Sequence, residues 1–203
     1  MRSMRPFIEI PAADGTAEAV VARPDDQPHP GVLLRIDALG LRARIEEMAD
    51  RIASWGYIVL APNTMYRSGT AAETTPRTDL RIPEERAAYG AVAAPYLAAL
   101  DGPAMERDTP HYVAALRALD GVTDGPIGVT GYCMGAKFST RVAGIEPSVA
   151  ACGGFHGARL ATDEPDSPHL RLASATAEFG YGHADKDRHW RELRELFDRT
   201  LVA

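Results

Sequence analysis

The segment Gly128-Val129-Thr130-Gly131-Tyr132-Cys133-Met134-Gly135-Ala136-Lys137 decides how the rest of the chain is read. It has the form G-x-C-x-G, with a short apolar strand from Ile127 to Thr130, a turn from Gly131 to Gly135, and a helix from Ala136 to Ala143. A strand, a glycine-flanked turn and a helix in that order lift a nucleophilic side chain above the end of a sheet. The spacing is steric: a side chain at 131 or 135 would crowd strand and helix backbones that must pass close together. The helix then aims its first N–H groups and the positive end of its dipole at Cys133, which favours thiolate over thiol. The competing reading is a small buried cysteine in a glycine-rich turn, and the strand-turn-helix context argues against it. Cys152, inside Val149-Ala150-Ala151-Cys152, reads as core.

Working outward, Gly31 to Ile36 is a buried strand that ends in Asp37-Ala38-Leu39-Gly40. Leu41, Ile45, Met48, Ile52 and Trp55 recur at helical spacing, and Gly56 stops that helix. Tyr57 to Ala61 follows as a second buried strand, closed by Pro62-Asn63. Strand, helix, strand predicts parallel pairing through a right-handed crossover. Upstream, Phe7 to Ile10 and Glu18 to Ala22 flank the turn Ala13-Asp14-Gly15-Thr16 and predict a hairpin. Asn63 to Pro83 reads as an irregular excursion, and Glu84 to Leu100 as a helix interrupted at Pro95. Asp108-Thr109-Pro110 marks the start of a helix to Leu119. Past the turn, Val149 to Cys152 and Ala177 to Tyr181 are strands. Arg188 to Leu201 is a closing helix with Trp190, Leu193, Phe197 and Leu201 on one face. The whole predicts one α/β domain over residues 1–203, a mostly parallel sheet flanked by helices.

Composition narrows the function. The 203 residues are 45% hydrophobic and 25% charged, with a net charge of −6, which suits a globular domain in water. Uncharged runs such as Ala87 to Leu100, broken by Gly90 and Pro95, are shorter than the ~20 apolar residues of a membrane span. Met1 to Pro11 lacks the apolar core of a secretory signal, so no membrane partner and a cytoplasmic location are expected. An acidic balance without a Lys/Arg cluster argues against nucleic acid. Two cysteines are too few for a disulfide framework, and no histidine pair has metal-ligand spacing with an acid. Neither metal nor other cofactor is expected.

The chain resembles the dienelactone hydrolase family, the branch of the α/β-hydrolases that uses a cysteine nucleophile. Gly131-Tyr132-Cys133-Met134-Gly135 looks like its nucleophile elbow. Other segments agree in order: Asp37-Ala38-Leu39-Gly40-Leu41-Arg42, Gly56 to Asn63, Tyr66-Arg67, Phe155-His156-Gly157, and Tyr181-Gly182-His183-Ala184-Asp185. The resemblance covers about residues 15 to 187. It implies an α/β-hydrolase fold in which Cys133 attacks an ester or lactone carbonyl and forms an acyl-enzyme. It also implies an oxyanion hole from the N–H groups of Met134 and Ala38, and a triad acid at Asp185. Asp37 falls where the family carries a glutamate that influences the cysteine, and is one methylene shorter.

The resemblance breaks near the end of the chain. This fold places the triad histidine after the acid, on a loop beyond one more helix and strand. Here Asp187 runs directly into the closing helix, so the last strand and the histidine loop are expected to be missing. Among the histidines present, His156 is the best substitute base, ahead of His183 and His189, while His29, His111 and His169 read as structural. Of Arg35, Arg67, Arg81 and Arg86, one could bind a substrate carboxylate, although surface solvation is the commoner role. Three functions follow: a cysteine-dependent hydrolase of small-molecule esters or lactones, an inactive member acting as a binding or regulatory protein, and a thiol sensor. Either a monomer or a homodimer fits, and a truncated sheet edge favours pairing or instability.

Overall fold

Two runs without polar alternation form the centre of the sheet. β3 (Gly31–Arg35) and β4 (Ile58–Pro62) are buried at every position, as strands covered on both faces must be. The computed structural model describes residues 7–174, 176–182 and 187–202. Its other strands are β1 (Ile8–Ala12), β2 (Gly15–Ala22), β5 (Ile127–Tyr132), β6 (Val149–Phe155) and β7 (Glu178–Gly182). The helices are α1 (Ala43–Ala53), α2 (Ala71–Thr74), α3 (Pro83–Ala98), α4 (Gly102–Arg117), α5 (Met134–Ile145) and α6 (Arg188–Leu201), with a 3-10 segment at Pro168–Ser174. Strand order is β1-β2-β4-β3-β5-β6-β7. The hairpin β1-β2 joins antiparallel, and the strands from β4 to β7 are parallel to one another.

Alternation along the strands divides the core. Val32, Leu34 and Ile36 face α1 and α6, where Ile45, Ile52, Trp190, Leu193 and Phe197 close over them. Leu33, Leu60, Val129 and Cys152 pack on the opposite face with Tyr112 and Leu116 of α4 and Val142 of α5. Cys152 is buried, and burial pushes its thiol well above the ordinary value, as its place in an apolar strand predicts.

Several local expectations need correction. α4 starts at Gly102, not at Asp108: the Asp101 carboxylate caps it by accepting the Ala104 N–H at 2.7 Å, and Pro110 lies inside the helix. Asp108 is buried mid-helix instead, where its carboxylate takes the Ala13 N–H, the Tyr66 hydroxyl and both terminal nitrogens of Arg67. α3 runs through Pro95 without a break. β6 extends past Cys152 to Phe155, and the 63–83 excursion contains the short α2, whose Thr70 and Glu73 form a capping box.

Candidate active site

Backbone contacts build the elbow. β5 ends at Tyr132 and α5 begins at Met134, so one residue, Cys133, makes the reversal at φ 54° and ψ −117°. A residue with a side chain adopts positive φ only where its surroundings over-determine it. A Cβ on Gly131 would lie 2.4 Å from the Gly135 carbonyl carbon, and a Cβ on Gly135 would lie 2.3 Å from the Arg35 carbonyl oxygen. Those two glycines therefore bring β5, α5 and the end of β3 into direct contact. The Cys133 N–H donates to the Phe155 carbonyl at 3.0 Å, and its carbonyl accepts from Ala136 at 3.1 Å. The thiol stands exposed at the carboxyl end of the sheet. Cys133 is the N-cap residue of the twelve-residue α5, and its side chain makes no capping hydrogen bond to the helix. Met134 is the first residue of α5, so its N–H has no intrahelical acceptor and is available at the elbow.

The loop after β3 lies alongside, because the β3-β5 register sets Arg35 level with Gly131. Asp37 accepts the Leu39 N–H at 2.9 Å and both terminal nitrogens of Arg42 at 2.7 and 2.8 Å. Its carboxylate is thus engaged with Arg42, in a forked pair with side chains 18% and 21% exposed. The carbonyl of Ala38 accepts the Tyr89 hydroxyl at 3.2 Å, and the same hydroxyl reaches the Thr74 carbonyl at 3.1 Å. Burial raises the Tyr89 hydroxyl above its ordinary value, with the nearby Asp37 carboxylate adding to the rise. Arg42 and Tyr89 were not singled out from sequence. The first carried a readable signal, a cation five residues past Asp37 in a tight loop; the second sits on an alanine-rich helix with no periodicity to aim it.

The histidines separate clearly. Phe155 pairs with Tyr132, so His156 follows β6 just as Cys133 follows β5, and both take positive φ, 56° and 54°. His156 is exposed on this shared rim. His189 is 6% exposed, its ring packed edge-on against Tyr132 at 5.5 Å and Phe155 at 5.3 Å. His29 bonds Asp25, and His169 bonds Ser167. Asp185 and His183 lie outside the described residues. Among the described residues no cluster of three or more His, Cys, Asp or Glu could hold a metal ion.

Two of the four arginines are removed from contention. Arg35 is 1% exposed, its guanidinium 5.1 Å from the Tyr112 ring centroid and 2.9 Å from Met105 Sδ. Arg67 spans Asp14 and Asp108. Arg81 and Arg86 line an open depression with Leu39, Arg42, Arg44, Asp79 and Leu80, next to the Asp37 loop. Asp79 pairs with Arg81, which holds the Asp79 carboxyl down at about 2.

Comparisons with known proteins agree with this geometry. The model of the dienelactone hydrolase family matches residues 17–202. A Yersinia pestis protein named as a carboxymethylenebutenolidase is 23% identical over 73% of this chain and 51% of its own. Another of that name from Methylorubrum extorquens is 25% identical over 77% of this chain and 50% of its own. The chain thus spans about half the length of these curated relatives. Among solved structures, a protein named as a dienelactone hydrolase from Klebsiella pneumoniae superposes with a TM-score of 0.68 at 21% identity, covering 93% of this chain and 79% of the other. The dienelactone hydrolase-like promiscuous phosphotriesterase P91 from metagenomic libraries gives 0.70 at 16% identity, covering 96% and 97%. These likenesses show the α/β-hydrolase fold. With the family's model matched over residues 17–202, the chain belongs to the dienelactone hydrolase family.

Proposed function

We propose that the protein is a hydrolase of carboxylic esters or lactones in which Cys133 is the nucleophile. The observation that carries this reading is the conformation of Cys133: positive φ, exposed thiol, helix N-terminus, with both flanking glycines irreplaceable. The thiolate attacks the substrate carbonyl, and the C=O electron pair moves to oxygen. The Met134 and Ala38 N–H groups receive that oxyanion, an arrangement whose single donors are worth about 10²–10³ in rate. Tyr89 and Arg42 hold the loop that carries Ala38. Collapse of the intermediate expels the alkoxide, which takes a proton, and leaves a thioester on Cys133. Water then attacks the thioester and releases the acid.

Deacylation needs a base. His156, which follows β6 as Cys133 follows β5, is an exposed imidazole on the same rim and would be that base, with Asp185 the triad acid implied by resemblance. A base at His156 comes from a different strand end than the family's histidine. Acylation is therefore faster than deacylation, because a thiolate at a helix N-terminus needs little help while water needs a base. Stopped-flow mixing with p-nitrophenyl acetate tests this: a burst of nitrophenolate equal to one per chain precedes slow turnover, and Cys133→Ala abolishes both phases. A trace without a burst that is unchanged in Cys133→Ala contradicts the proposal.

A second reading, a family member that binds a ligand without turning it over, is favoured by what three of the histidines contact: His29 bonds Asp25, His169 bonds Ser167, and His189 packs on the rings of Tyr132 and Phe155. A burst with no further turnover supports it; many turnovers per site remove it.

A further inference from the structure

The sheet has two edges, and they are unlike. β1 closes one side with Pro11 in the strand and Glu9 exposed, two features that discourage another strand from pairing there. β7 closes the other with Glu178-Phe179-Gly180-Tyr181-Gly182, which has neither proline nor lysine and pairs with β6 in an unbroken register. α6 covers one of its faces, and among the described residues no strand lies along its outer side. A row of outward N–H and C=O groups on an undefended edge is a template for one more strand.

We propose that β7 is a self-association surface: two copies of the chain pair antiparallel through β7 about a twofold axis at Gly180, joining their sheets into one. The argument for a second copy rests on the strand itself. Its aromatic residues flank Gly180 symmetrically, so an antiparallel register centred there sets Phe179 of each copy opposite position 181 of the other. Glu178 falls opposite Gly182, so no like charges meet, and Glu178 is already neutralised within its own chain by Arg199 at 2.9 Å. An unrelated strand would need no such symmetry. A twofold pairing also closes on itself rather than growing into a fibre.

The proposal is independent of the catalytic chemistry, and its first test needs no variant. Size-exclusion chromatography with light scattering, at tens of micromolar protein, gives twice the chain mass of 21.9 kDa, falling toward one copy on dilution. A single 21.9 kDa species at every concentration overturns the proposal. The register is read by crosslinking. Opposed antiparallel residues lie about 4.5–5.5 Å apart at Cα, within disulfide reach. Under mild oxidation Cys133→Ser/Gly180→Cys becomes a covalent dimer, while Cys133→Ser/Glu195→Cys, at an exposed position on α6, does not. Equal crosslinking of the two, or none in the first alongside a native dimer, places the interface elsewhere and overturns the assignment.

Discussion

Two of the chain segments at the carboxyl end of the sheet differ in how much of their hold is charge. The elbow, residues 127–145, is fixed by backbone against backbone, with no room for one added carbon at Gly131 or Gly135. The loop from 156 to 174, which begins at His156, also packs closely, a Cβ on Gly144 falling 2.3 Å from the Arg171 carbonyl oxygen, but it adds a cluster of charges. Arg141, 1% exposed on α5, pairs with Glu106 of α4 and with Asp166 of the loop, and Arg171 of the 3-10 segment joins the same two acids. Steric constraint does not relax with pH or salt, whereas an ion-pair latch does. Cys133 is thus held by sterics, and the loop that begins at His156 partly by charge.

The largest effect is expected where sterics rule. Gly135→Ala forces a carbon to 2.3 Å from the Arg35 carbonyl, so it costs about 4 kcal/mol or more of stability, read from urea denaturation midpoints. A loss below about 1 kcal/mol would show that the elbow is not sterically determined. Next in size, Arg141→Met strips two carboxylates of a buried partner and costs about 2–3 kcal/mol. Proteolysis of the 156–174 loop accelerates in that variant, while the alkylation rate of Cys133 stays unchanged. Equal loosening of both regions would erase the contrast.

The latch also gives a pH signature. Burial works to raise the Glu106 carboxyl, but the hydrogen bonds from Arg171 and Arg141 outweigh it and hold it below the ordinary value of 4.5. A lowered native value means the unfolded chain binds more protons in this window. The stabilisation is therefore present in full above 4.5 and is lost as pH falls through the lowered native value. Melting temperature measured against pH falls less steeply there for Glu106→Gln than for the parent, and a parallel fall would exclude Glu106 as the titrating group. The smallest effect is expected at Arg35, whose Nε and Nη1 have no hydrogen-bond partner among the described residues. Burial disfavours its charged form. Arg35→Met, placed between Met105 and Phe138, leaves stability within about 1 kcal/mol of the parent or raises it.

How much of this was legible in the sequence follows from the same contrast. The elbow could be read because its cause is local: two glycines four residues apart, a strand before and a helix after. β3, β4 and α6 were equally plain, since continuous apolar runs and a one-faced helix leave few choices. Asp108 was misread as a helix start because its cause is remote. Its partners Arg67 and Ala13 lie on the excursion and the hairpin turn, and no local pattern announces a buried ion pair between segments far apart in sequence. For the same reason the sequence presents Arg35 only as a substrate-binding or a solvated cation: its aromatic surroundings come from α4 and α5, which the strand's own residues do not reveal. Charged contacts across elements were the part of the site that only three-dimensional structure supplied.

If Cys133 is the nucleophile, the acyl group of an ester substrate is carried on its sulfur. Mass spectrometry of the intact protein, quenched in acid shortly after mixing with p-nitrophenyl acetate, tests it most directly. One acetyl group per chain is expected, mapped to the peptide containing Cys133 and absent in Cys133→Ala. An unmodified protein, or a label that persists in Cys133→Ala, would contradict it.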